Sequence, residues 1–161
     1  MINVAFVCLG NICRSPMAEL YFKDLVKLKG LELSFRISSF ATCDYNDGSG
    51  IYPPAKKTLI RHAIPGEHIS RHVELKDIMN NDYILVMDEN NLSDILRLTG
   101  GRYFEKIYKL LSFTGETLDV ADPYFTGDFE RTFSDIERGC KSFLDYLLKS
   151  KPDLFNYDKY H

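Results

Sequence analysis

Residues 2 to 7, INVAFV, form a short apolar run that stops at CLGN, and a helical repeat begins a few residues later at Ser15-Pro16. Few folds accommodate a strand, a tight loop of small and polar residues and a helix start in so little chain. The run is too short for a membrane span. It has no basic start before it and no small-residue cleavage site after it, so it reads as a buried strand rather than a secretory leader. Serine suits a helix N-cap, and proline suits the first helical position because its missing N–H is not needed there. Met17, Leu20, Tyr21, Leu25 and Leu28 then recur at helical spacing, and Gly30 is a stop signal.

The same alternation continues. A second strand is expected near Ser34–Ser38, then a loop over 41–54 rich in Asn, Asp, Gly and Pro. Pro54–Ala63 reads as a short helix, Tyr83–Met87 as a strand and Glu89–Leu98 as a helix closed by Gly100-Gly101. Ile107–Leu111 reads as the fourth strand, and a long loop runs from Ser112 to about Asp128. Phe129–Leu148 carries an apolar stripe through Phe133, Ile136, Cys140, Phe143, Leu144 and Leu147. Four strands alternating with helices predict one α/β domain over residues 1–150, a four-stranded parallel sheet with helices on both faces. Residues 151–161 are left as a C-terminal tail without an assigned structure. In such sheets ligands bind beyond the carboxyl ends of the strands. The first such end is the loop that begins at Cys8.

The 161 residues fit one domain, and 45% hydrophobic with 27% charged residues is a globular composition. The net charge of -3 with no basic block gives no reason to expect nucleic acid, and no run suggests a membrane. A cytoplasmic location follows as the default. The four cysteines, Cys8, Cys13, Cys43 and Cys140, lack the paired spacing of a zinc site, and the chain is too large to need a disulfide framework. Cys43 and Cys140 read as structural, and His62, His72 and His161 as surface residues. Neither a metal nor a cofactor is expected.

An acidic protein that binds an anion needs a local device, and CLGNICRS, Cys8 to Ser15, has the parts of one. A helix N-terminus offers unpaired N–H groups and the positive end of the dipole. A loop wrapped into a ring turns further N–H groups inward. Gly10 permits backbone angles that other residues resist, and Asn11 tolerates left-handed geometry while its side chain pins the loop. Arg14 supplies a planar fork that matches two phosphoryl oxygens. Cys8 stands where those same groups favour a thiolate, and Ser15 can donate to it. A lone C-x5-R match also occurs by chance, and a cysteine after a strand is often a core residue. Here a strand precedes it and Ser-Pro opens a helix after it.

Transfer of a phosphoryl group to a thiolate expels an alkoxide or phenoxide, which needs a proton. Asp122, in ADPYF of the long loop, is the candidate acid, with Pro123 stiffening the backbone beside it and Tyr124 and Phe125 as pocket walls. VCLGNICRSPMAE, followed about a hundred residues later by DPYF, resembles the low-molecular-weight protein tyrosine phosphatases, and the likeness extends to NDYILVMDENNL, the loop at Tyr45-Asn46 and the DFE start of the last helix. It covers nearly the whole chain.

The resemblance implies metal-free, two-step hydrolysis of phosphotyrosine in proteins or peptides. Cys8 would form a phosphocysteine, Arg14 would bind the phosphoryl group and Asp122 would act as acid and then base. Leu9, Gly10, Asn11, Ile12, Cys13, Arg14 and Ser15 would form the phosphate loop, open also to phosphate, vanadate or sulfate. Leu9, Ile12, Tyr45 and Tyr124 would wall the substrate pocket, and Ser39, His68 and Asp88 would support it. The enzyme would be a monomer or weak dimer. Tyr45 stands where many members have Trp, and Phe125 replaces a frequent second Tyr.

Other readings share parts of this sequence. A protein arginine phosphatase typically carries Thr where this chain has Ile12. An arsenate reductase needs two further cysteines close in sequence, and Cys43 and Cys140 are far apart. A non-catalytic phosphopeptide-binding module would be expected to lose Cys8, Arg14 or Asp122. Cys13 is either a small buried residue or a resolving thiol that forms a reversible disulfide with Cys8, as the resemblance supports. In the second case peroxide inactivates the enzyme reversibly with loss of two thiols. Equal recovery of Cys13→Ser and the parent after peroxide would refute that pairing.

Overall fold

The computed structural model describes residues 1–155. The tail beyond Phe155, with His161, lies outside the described residues. Four parallel strands, β1 (Ile2–Cys8), β2 (Phe35–Ala41), β3 (Tyr83–Val86) and β4 (Ile107–Lys109), stand in the order β2-β1-β3-β4. Helices α1 (Arg14–Leu28), α2 (Pro53–Arg61), α3 (Leu75–Asn80), α4 (Glu89–Thr99), α5 (Pro123–Thr126) and α6 (Phe129–Ser150) connect and cover them.

Alternation along β1 builds two cores. Val4, Phe6 and Cys8 pack with α1, α2 and α6, while Ala5 and Val7 pack with Ile78 of α3 and Ile95 of α4. The strands are buried on both faces, which explains the near-continuous apolar runs. Phe22 of α1 anchors the larger core, its ring centroid 5.8 Å from Phe6, 5.4 Å from Phe35 and 5.5 Å from Phe143. Phe155 packs on Phe35 at 5.8 Å, so the chain stays on the core beyond residue 150. Among the described residues no helix is long and apolar enough to cross a membrane.

Several local expectations are corrected. Helix α1 begins at Arg14 with Cys13 at the N-cap, so Ser15 lies inside the first turn and its hydroxyl is free for other work. Leu28 is exposed at the helix end, and the chain turns at Gly30 with φ 70°. Helix α2 stops at Arg61, and Ala63 is exposed with φ 58°. Strand β4 ends at Lys109 because its partner β3 ends at Val86, and Leu110–Thr114 coils into a 3-10 turn. The loop before α6 contains the single turn α5, capped by Asp122.

Gly139 of α6 meets that 3-10 turn. A Cβ there would lie 2.6 Å from Cγ of the fully buried Leu110. Gly139→Ala is therefore expected to lower stability by about 1–3 kcal/mol despite the better helix propensity of alanine. A urea midpoint equal to or above the parent's would show that Leu110 yields freely.

Candidate active site

Every part of the site lies at the carboxyl edge of the sheet, where β1 leads to β2 on one side and β3 flanks it on the other. Cys8 closes β1, and residues 9–13 wrap from there to the start of α1. Three donors converge on its sulfur: the Asn11 N–H at 3.2 Å, the Ser15 N–H at 3.4 Å and the Ser15 hydroxyl at 3.0 Å. Asn11 Nδ2 donates to that hydroxyl at 2.7 Å, and the hydroxyl's own proton can go to the sulfur or to the Phe40 carbonyl at 3.5 Å.

Neighbouring segments hold the outer side of the loop. The carbonyls of Cys8 and Leu9 accept the N–H groups of Thr42 and Cys43 at 2.9 and 3.3 Å. The Gly10 carbonyl accepts Ser70 Oγ at 3.0 Å and Asn46 Nδ2 at 3.4 Å, and the Ile12 carbonyl accepts the Tyr52 N–H at 2.9 Å. A trans peptide sets C=O and N–H on opposite sides. Carbonyls tied outward therefore turn the N–H groups of Gly10, Asn11 and Cys13 away from these partners, toward the cradle. Gly10 is required by close approach rather than by its backbone angles: a Cβ would lie 2.7 Å from Asn46 Nδ2, while the positive φ of the loop, 57°, belongs to Asn11.

The Asn11 amide is fully buried and makes four hydrogen bonds. Nδ2 donates to Ser15 Oγ and, at 3.0 Å, to Ser39 Oγ. Oδ1 accepts the Arg71 N–H at 3.2 Å and faces His68 Nε2 at 2.7 Å. The Arg71 contact decides which end of the amide is oxygen. His68 Nδ1 faces Glu19 Oε1 at 3.1 Å. Glu19 also accepts from Ser39 and Lys23, each at 2.5 Å. Burial raises the Glu19 pKa, but His68, Lys23 and Ser39 outweigh it and hold the carboxyl below its ordinary range.

Arg14 is the second centre. Nη1 donates to Asp88 Oδ2 at 2.8 Å and to the Val120 carbonyl at 2.9 Å, and Nη2 lies 3.5 Å from Asp122 Oδ2. Burial works against its charge, and Cys8, Asp88 and Asp122 outweigh it, so the guanidinium is held above its ordinary range. Asp88 caps α4 through the Asn91 N–H at 2.7 Å, and Asp122 caps α5 through the Tyr124 N–H at 3.0 Å. Each carboxylate thus gives one oxygen to a helix start and turns the other toward Arg14. Burial pushes the Cys13 thiol up to about 12, with Cys8 and Asp122 adding to the shift and Arg14 opposing it, so Cys13 is a thiol at neutral pH.

A cleft of about 250 Å³ opens over Cys8, between Leu9 and Ile12 of the loop, Cys43, Tyr45 and Asn46 on one side, and Asp122, Tyr124 and Phe125 on the other. Tyr45 is 92% exposed, while Tyr124 packs on Tyr52 at 5.5 Å. Of the expected residues, Cys8 to Arg14, Tyr45, Asp122 and Tyr124 line the cleft. Ser15 and Asp88 lie outside its lining and touch Cys8 and Arg14, and Ser39 and His68 stand behind the loop on Asn11. Sequence reading assigned no role to Glu19 and Asn46, although both lie in the segments that carry the resemblance, and it missed Tyr52, Ser70 and the Val120 carbonyl, which lie outside those segments. Cys43, expected to be structural, is half-buried in the cleft wall, its thiol donating to the Leu9 carbonyl at 3.3 Å. His62 stacks on Phe133 at 3.9 Å and pairs with Glu130, and His72 pairs with Asp47, both partly exposed. Among the described residues no group of three His, Cys, Asp or Glu is placed to hold a metal.

A family model for low molecular weight phosphotyrosine protein phosphatase matches residues 3–153. The chain is 37% identical over 154 residues to the low molecular weight protein-tyrosine-phosphatase YfkJ of Bacillus subtilis, covering 94% of this chain and 99% of that protein. The crystal structure of YfkJ superposes with a TM-score of 0.90 over 94% of this chain and 97% of that one. The human low molecular weight phosphotyrosine protein phosphatase is 38% identical over 148 residues, covering 89% of this chain and 94% of that protein. A Drosophila arginine phosphatase shares the fold with a TM-score of 0.82 and 30% identity, over 89% of this chain and 96% of that one. The chain belongs to the low molecular weight phosphotyrosine protein phosphatase family.

Because the Glu19 pKa is depressed, the stability it contributes is present above the ordinary glutamate range and is lost as pH falls through its lower folded value. Glu19→Gln is expected to lose roughly 1–3 kcal/mol near neutral pH, the scale of hydrogen bonds to a buried charge. The gap to the parent should narrow in acid. A gap independent of pH would show that the carboxylate charge contributes nothing.

Proposed function

We propose that this protein is a protein-tyrosine phosphatase that works through a phosphocysteine on Cys8. One observation carries the reading: the Cys8 sulfur receives three donors at a helix N-terminus, beside a guanidinium that also faces Asp122. In the first step the Cys8 thiolate attacks phosphorus and the P–O bond to the tyrosine breaks. The phenolate takes the proton of the Asp122 carboxylic acid. Arg14 and the loop N–H groups hold the phosphoryl oxygens as charge shifts among them. In the second step a water attacks phosphorus and passes a proton to the Asp122 carboxylate. The P–S bond breaks, inorganic phosphate leaves, and the thiolate returns to the donors of Asn11 and Ser15. No metal takes part in these steps.

The cleft walls support an aryl phosphate. Leu9 and Ile12 from the loop, with Tyr45, Tyr124 and Phe125, flank a slot that ends at Cys8, which suits a flat ring carrying its phosphoryl group at the tip. The relatives named as tyrosine phosphatases support the same substrate. Phosphoarginine is the second reading, favoured by the arginine phosphatase among the structural relatives. The apolar Ile12 at the rim favours the ring over the guanidinium. If Cys13 resolves an oxidised Cys8, its sulfur attacks the Cys8 sulfenic acid, an S–S bond forms and water leaves, and the raised Cys13 pKa works against that attack.

The test compares phosphotyrosine, phosphoarginine and phosphoserine peptides with chelator present. Phosphotyrosine is expected to be preferred, with vanadate inhibiting and Cys8→Ser without measurable turnover. Asp122→Ala should lose roughly 10²–10⁴-fold on poor leaving groups, the range for general acid catalysis, and far less on good ones. Preference for phosphoarginine would overturn the substrate assignment and leave the mechanism standing. Equal losses on all leaving groups would remove Asp122 from the acid's role.

A further inference from the structure

Lys109 ends β4 and lies outside the cleft, yet its ammonium uses all three of its donors close to it. Nζ contacts Glu89 Oε1 at 3.1 Å, Asp119 Oδ1 at 2.6 Å and the Thr117 carbonyl at 3.1 Å. The side chain is 12% exposed. Burial works against its charge, and Asp119 and Glu89 outweigh it, so the ammonium stays charged.

The three acceptors belong to two segments that both serve Arg14. Glu89 follows Asp88, which holds Nη1. Thr117 and Asp119 precede Val120, whose carbonyl takes the same nitrogen, and Asp122. Residues 116–122 have no regular secondary structure. Among the described residues their other ties include the Val120 N–H to the Met87 carbonyl at 2.9 Å, Thr132 Oγ1 to the Ala121 carbonyl at 3.2 Å, Arg138 to Glu116, and Asp122 to Arg14 and the N–H of Tyr124. Arg14 joins Val120 and Asp122 to Asp88 at the α4 N-cap, and Lys109 ties the 117–119 stretch to Glu89 in the first turn. Without it, Glu89 and Asp119 would face each other as like charges and push the segments apart.

We propose that Lys109 is a positioning residue for the proton-transfer step, clamping the 117–119 stretch to α4 so that Asp122 reaches the leaving oxygen. The proposal rests on the function given above. Asp122 lies three residues from the clamp, and a misplacement of about 1 Å can cost on the order of 10²-fold in rate. Arg14 keeps Asp88 without the clamp, so anion binding should change little.

The test uses Lys109→Met, Lys109→Arg and Asp119→Asn on aryl monophosphates graded from good to poor leaving groups, well below each variant's Tm, with vanadate inhibition measured alongside. For Lys109→Met, kcat on the poorest leaving group should fall roughly 10- to 100-fold and on the best by no more than about threefold. Vanadate inhibition should stay near that of the parent. Lys109→Arg, which keeps the charge, should recover part of the loss, and Asp119→Asn should show the same pattern more weakly. If Lys109→Met does not fold, Asp119→Asn decides. Losses equal across the series, or no loss, overturn the proposal. A parent inactive on every aryl phosphate would sink the phosphatase reading instead.

Discussion

The site depends on one buried amide. Asn11 sits in left-handed backbone with its side chain sealed from solvent, and each of its four hydrogen-bonding positions is filled. Its partners come from α1, from β2 and from the connection after α2. Leaving any position open would cost the desolvation of a buried polar group, so the loop is held to one shape. The amide also sets direction. By donating to the Ser15 hydroxyl it holds that group 3.0 Å from the Cys8 sulfur, and through His68 it joins the loop to Glu19.

Arg14 answers the other requirement, positive charge in a chain of net charge -3. The guanidinium is sealed among Asp88, the Val120 carbonyl and Asp122. These partners fix its plane, so a phosphoryl group meets a fork already aimed. They arrive from two places in the chain because a parallel sheet gathers the ends of its strands on one edge. Strand β1 delivers Cys8, β3 leads into Asp88, and β4 leads by way of Lys109 toward Val120 and Asp122.

Much of this was legible in local sequence. CLGNICRS between a strand and Ser-Pro marked the cradle, and ADPYF marked the opposing acid. The rest was hidden for physical reasons. Helix α3 has six residues, too few for a periodic signal, and it is held by reciprocal caps between Glu74 and Asp77 and by burial of Ile78. Residues 107–111 look like one strand because Leu110 and Leu111 are apolar, but pairing ends where β3 ends. Ser15 looks like an N-cap because serine favours that position, but it lies two residues past the cap, inside the first turn, where its hydroxyl meets the Cys8 sulfur.

The amino-acid sequence by itself determined the alternation of the four strands with the longer helices and the parallel sheet, and it marked Cys8, Arg14 and Asp122 as candidates, because each follows from periodicity or from chemistry within a few adjacent residues. Only the tertiary structure decided what holds that loop in shape. Glu19, Asn46, Tyr52, Ser70 and Lys109 carry no local sign of these roles, since a hydrogen bond to a carbonyl or carboxylate can be made by many residue types from any point in the chain. Their roles exist only where folding brings them within bonding distance of the loop or of the segment that carries the acid.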